Sequence, residues 1–165
     1  MAAADDAASA LEFQLRFVAP GSLALGYNLA MLEHREWLAL PGAKLGVLEE
    51  LGRAAPVDLP DCYFALLAES NGGEGPLSVN PFNLCLDAAE QVVETIRSGN
   101  YGQADLAGFL IFGGNGGGEY LAFDIRGAAP WPIVSIDMVA GGGSAQRVAP
   151  DFEAFSELIG REPSN

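Results

Sequence analysis

Carboxylates set beside tight turns are the residues of this chain that could do chemistry. Glu69 and Glu74 flank Asn71-Gly72-Gly73. Glu119 closes the glycine-rich tract Gly113-Gly114-Asn115-Gly116-Gly117-Gly118, and Asp105 and Asp124 lie before and after it. Paired carboxylates can act as acid and nucleophile on a glycoside or hold a hard divalent cation. No D-x-D arrangement joins two of them here, and the acids fall in capping positions and exposed turns. The glycine tract invites a phosphate-binding reading, which fails on its spacing. A dinucleotide fingerprint is G-x-G-x-x-G opening a helix. Counting from Gly114 gives Gly116 and then Glu119, and a strand pattern follows, so no helix N-terminus is there to receive a phosphate. No Lys-Ser or Lys-Thr follows the last glycine, as a P-loop needs.

The other reactive residue types are equally bare of partners. His34 is the only histidine, with no cysteine or carboxylate at ligand spacing, and reads as a residue of a polar helix face. Cys62 and Cys85 sit in apolar contexts that suit buried, inert thiols. There is no C-x-x-C, G-x-S-x-G or H-E-x-x-H. The expectation is therefore a protein that is not an enzyme and carries no cofactor or metal. Glu69, Asn71, Gly72, Glu74, Asp105, Asn115, Glu119 and Asp124 are read as partner contacts instead. The competing reading of each acid is a solvated surface carboxylate.

Charge gives that reading its direction. The chain has 22 acids against 8 bases, a net charge of −14. Between Arg53 and Arg97 there is no Lys or Arg, while Asp58, Asp61, Glu69, Glu74, Asp87, Glu90 and Glu94 are all negative. Such a field repels nucleic acid and anionic membrane. It attracts a basic partner and speeds its capture, or it serves only solubility.

With 165 residues, half of them hydrophobic, the chain suits one folded domain that needs no disulfide or metal staple. No apolar run reaches the roughly 18 residues of a membrane span. Met1 to Asp6 is acidic where a secretory signal is basic, and two cysteines make no disulfide framework, so a cytoplasmic location is expected.

The elements that must position these residues follow from period and punctuation. Residues 1–9 are small and acidic and expected to fray. Alternation at Leu11, Phe13, Leu15 and Phe17 predicts a strand. Residues 23–40 read as a broadly apolar helix, either a dimer surface or a cap over an open face of the core. Helices are predicted over Ala43 to Arg53 and from Asp61, as N-cap, to a stop at Asn71-Gly72. A strand over Val79 to Leu86 is interrupted by Pro81. Asp87-Ala88-Ala89-Glu90 reads as a capping box opening a helix that stops at Ser98-Gly99-Asn100. Leu106 to Phe112 and Leu121 to Arg126 form a β-loop-β unit about the glycines. Ile133 to Val139 and Gln146 to Ala149 are further strands, joined by Gly141-Gly142-Gly143-Ser144 as a loose turn. Asp151 to Ile159 is a closing helix. The order predicts an α+β fold, a mixed, mostly antiparallel curved sheet packed with helices.

Leu59-Pro60-x-x-Tyr63-Phe64-x-Leu66-Leu67, followed by Asn71-Gly72-Gly73, resembles the opening signature of the SUKH superfamily, the domains related to yeast Smi/Knr-type regulators. Glu49-Glu50-Leu51-Gly52 upstream, Leu84-Cys85-Leu86 with the next helix, the segment Phe109 to Asp124 and the closing helix fit in the same order. The resemblance covers roughly residues 45–160 and implies a division into an N-terminal extension, 1–42, and a SUKH-like domain, 43–165. It implies a non-catalytic binding domain. Many bacterial members are immunity proteins that bind and block a cognate toxin, often a nuclease. The alternative is a general interaction or regulatory module with no toxin partner.

Overall fold

The computed structural model describes residues 31–164. The strand expected over residues 11–17, the fraying expected over 1–9 and the start of the helix expected from residue 23 lie outside the described residues.

The described chain is α+β, with strand β1 (Leu38–Ala39), helices α1 (Leu45–Ala54) and α2 (Asp61–Glu69), strands β2 (Gly73–Pro76) and β3 (Asn83–Leu86), and helix α3 (Ala89–Arg97). Strands β4 (Phe109–Gly114), β5 (Glu119–Asp124), β6 (Ile133–Asp137) and β7 (Gln146–Ala149) follow, then helix α4 (Phe152–Ser156). All seven strands join one curved, unclosed sheet in chain order, and every pairing is antiparallel. Each strand is thus paired with its neighbours in sequence, joined by a turn, by helix α3 between β3 and β4, or by helices α1 and α2 between β1 and β2.

Period decides which faces are buried. α1 is amphipathic and turns Leu48 and Leu51 inward. α2 is apolar nearly all round, and Cys62 to Leu67 are all buried. Pro60, with extended backbone, precedes its first turn, so Asp61 is a first-turn residue rather than the N-cap. In the sheet, Leu84, Leu86, Leu110, Phe112, Leu121, Phe123 and Ile133 face the helices. Phe109, Ile111, Ala122, Val134 and Ile136 face the other way, under Leu106. β4 and β5 are therefore apolar on both faces, and alternation gives way to a continuous apolar run. A bulge between Ile111 and Gly113 leaves Phe112 without a register partner and keeps its ring on the helix side.

The segment before α1 departs from the helix expected over 23–40. Residues 31–35 form a turn, with His34 at φ 63°, and Leu38–Ala39 pairs with Glu74 and Gly73 of β2. Side-chain contacts specify this. Trp37 lies across β2, where Cβ atoms on Gly73 and Gly75 would come within 2.7 and 2.6 Å of its ring. Its Nε1 donates to Ser70 Oγ at 3.1 Å. Arg35 donates to the carbonyls of Ser156 and Ile159, and the Glu36 amide to Gly160 at 2.9 Å. β2, which a Gly-Glu-Gly-Pro sequence hides, exists because its glycines make room for that indole. The strand expected from Val79 begins only at Asn83, since residues 77–82 close the β2–β3 turn by a Leu77 amide to Phe82 carbonyl bond of 3.1 Å.

Gly75→Ala is expected to displace Trp37, lowering stability by about 1–3 kcal/mol through overpacking and red-shifting indole emission. Urea unfolding followed by fluorescence checks both effects.

Candidate partner-binding site

The eight residues read from the sequence as contacts fall into two groups. Five are held by structural tasks. Glu69 Oε1 accepts the Leu32 amide at 3.0 Å and fixes the turn before β1. Burial pushes its carboxyl above the usual range, and the Leu32 and Met31 amides and Arg35 oppose that shift. Asn71 Oδ1 accepts the Ala89 amide at 2.7 Å, and its Nδ2 donates to both Glu90 oxygens at 3.0 and 3.2 Å. Asn71 thus caps α3 from 18 residues upstream. Gly72, buried at φ 103°, lets the backbone pass Leu40 and Leu86. Asp105 Oδ2 accepts the Gly142 amide at 2.9 Å, and Gly141 and Gly142 are buried against it, so the expected loose turn is a fitted lid on the outer cluster. Asp124 holds Arg126 through two bonds of 2.9 Å, which keeps its carboxyl below the usual range. The Arg126 guanidinium in turn lies 4.7 Å over the Phe109 ring.

Neither Asp87 nor Glu90 acts as the expected capping box. Ala88 is the N-cap residue and gives no side-chain bond. Asp87 is half-buried behind β3, and burial alone raises its carboxyl pKa.

Glu74, Asn115 and Glu119 form the second group, and the sheet brings them together. Asn83 Nδ2 donates to Glu74 Oε1 at 3.1 Å and to the Asn115 carbonyl at 3.0 Å. Asn115 Oδ1 accepts the amides of Gly117 and Glu119 at 2.8 and 3.0 Å, and its Nδ2 donates to Glu119 Oε2 at 3.0 Å. An Asx-type turn with Gly116 and Gly118 at positive φ therefore shapes the β4–β5 tip.

Antiparallel register places two more turns at that end. The β2–β3 turn carries Val79 and Phe82, and the turn after β6 carries Met138 and Val139. The Met138 amide bonds the Gly118 carbonyl at 2.9 Å, joining that turn to the β4–β5 tip. Asp137 Oδ1 accepts the Val139 and Ala140 amides, both at 2.8 Å, which hold its carboxyl below the usual range. Phe82 is 52% exposed and Val139 98% exposed. Apolar side chains so uncovered, beside the carboxylates of Glu74 and Glu119, form a surface suited to another protein. Sequence reasoning missed Val79, Phe82 and Val139, because it placed them in strands; the Asn80-Pro81 pair was the available turn signal.

The thiols lack the features of nucleophiles. Burial, with Glu153 and Asp151 nearby, pushes Cys62 up to about 12, and burial with Glu74 raises Cys85. Among the described residues no three His, Cys, Asp or Glu side chains are grouped to hold a metal ion.

Two expectations follow. Asn71→Ala should cost about 1–2 kcal/mol in urea unfolding, by uncapping α3 and freeing Glu90. Asp87 has a folded pKa above its unfolded one, so the stability linked to it is fully present below the unfolded pKa and lost as pH rises through the folded one. Asp87→Asn should therefore raise Tm at neutral pH, with the gain vanishing by about pH 3. Paired thermal melts across that range measure it.

Residues 42–157 match the family model described as the SMI1 / KNR4 family (SUKH-1). A search among curated proteins returned no match.

Proposed function

The chain belongs to the SMI1/KNR4 family (SUKH-1), and we propose that it is a non-catalytic immunity protein that binds a cognate basic toxin domain, of the nuclease kind, and blocks it. The family includes immunity proteins. The observation that carries the reading is the three-turn end of the sheet, where Glu74 and Glu119 stand beside exposed Phe82, Met138 and Val139 in a chain of net charge −14.

A nuclease holds phosphates with Lys and Arg. Glu74 and Glu119 offer carboxylates in place of phosphates, and the negative field steers the encounter. Val139 and Phe82 supply the apolar contact that slows dissociation once the surfaces meet. The partner is then occluded rather than chemically altered. Among the described residues no helix is long and apolar enough to cross a membrane. The proposed setting is the cytoplasm, with neither nucleic acid nor membrane as partner, and with residues 1–42 as an extension to the binding domain.

Affinity capture from the native cell, washed at two salt concentrations, tests the proposal. The expected result is one basic toxin domain, retained at low salt, lost at high salt and inhibited by this protein in a nuclease assay. The double variant Glu74→Gln, Glu119→Gln should keep Tm and slow association by about tenfold at low salt. A salt-insensitive complex with a neutral partner would overturn the toxin reading in favour of a general interaction module.

A further inference from the structure

A cleft of about 470 Å³ opens at the other end of the sheet, where the start of α2, the β5–β6 connection and the start of α4 meet. Its apolar lining includes the rings of Pro60, Pro130 and Trp131. Its acids are Asp58, Asp151 and Glu153, and no Lys, Arg or His lines it. Asp151 spends one oxygen on the N-cap of α4, while among the described residues none of the three acids is in an ion pair.

We propose that this cleft takes one arginine side chain of the protein partner. The inference rests on the reading that the partner is a basic protein. Lining rings and a rim of uncompensated carboxylates suit a guanidinium, which is weakly hydrated, stacks on aromatic rings and accepts bidentate pairing. A lysine ammonium, a hydrated point charge, uses the rings less well. Cys62 also lines the cleft, and burial first, then Glu153 and Asp151, raise its thiol pKa. The three-turn end and this cleft lie at opposite ends of β5, so the partner would be gripped at two separated places.

The test uses the full chain and two capped amino acids, N-acetylarginine methylamide and its neutral isostere N-acetylcitrulline methylamide. The two tryptophans give two indole N–H signals in nitrogen-15 spectra. That of Trp37 is bonded to Ser70, and that of Trp131 is buried with no partner among the described residues. The arginine probe should shift the Trp131 signal with saturation and leave Trp37 in place, and citrulline should shift neither. Asp58→Asn with Glu153→Gln should weaken the response about fivefold or more at unchanged Tm, because both side chains are exposed. Equal shifts with citrulline, or none with arginine, would overturn the proposal. The titration needs no toxin, so its failure leaves the capture experiment standing, and failure of the capture leaves the cleft tested.

Discussion

The inner face of a seven-stranded sheet is a large apolar surface, and everything else in this structure depends on how rings cover it. Tyr63 of α2, Phe112 of β4, Phe123 of β5 and Phe152 and Phe155 of α4 meet at centroid separations such as 5.1 Å for Phe112–Phe123 and 5.2 Å for Tyr63–Phe152. Most of these pairs are tilted or edge-on, the arrangement that the ring quadrupole favours. Four elements, α2, β4, β5 and α4, are fixed by this one cluster. With it in place, the turns at one end of the sheet and the cleft at the other hold a fixed distance from each other.

Much of the acidity that dominates the composition is employed in holding this scaffold. Glu69 fastens the turn before β1, Asp105 fastens the 141–144 loop, Glu90 holds the amide that caps α3, and Asp137 and Asp151 order the turns they begin. A count of carboxylates therefore overstates the surface offered to a partner. What distinguishes Glu74 and Glu119 is their position beside uncovered apolar side chains. Asp58 and Glu153 are distinguished by the apolar rings they border.

The α+β class, helices α1 to α3, the β4–β5 hairpin and β6 were legible because each carries a local signal: a periodic pattern or an apolar run of helix or strand length, closed by Gly, Pro or Asn. What local rules could not show came from distant partners. β1 and β2 have no propensity of their own. They are strands because Trp37 needs the space above Gly73 and Gly75, a contact between segments more than 30 residues apart. Asn71 had the composition of a helix stop and proved to be the cap of the next helix, since a side chain reaching across space leaves no spacing to read. For the candidate site, Glu74, Asn115 and Glu119 were visible as acids and amides near glycines. Their apolar neighbours became visible only when antiparallel register gathered three turns at one end.

Arg35 and Glu36 reach the carbonyls of Ser156, Ile159 and Gly160, more than 120 residues later. Every strand pairing, by contrast, joins neighbours in the chain. As the chain leaves the ribosome, the turn-linked pairs β2–β3, β4–β5, β5–β6 and β6–β7 can therefore form one after another behind it with little loop entropy to overcome, while β1–β2 and β3–β4 close around the helices between them. The contact at Arg35 is different in kind. It waits for almost the last described residue, like a buckle fastened after the belt is on. A nascent chain halted just short of α4 would carry a formed sheet with its aromatic face unsealed, the state most open to capture by a chaperone.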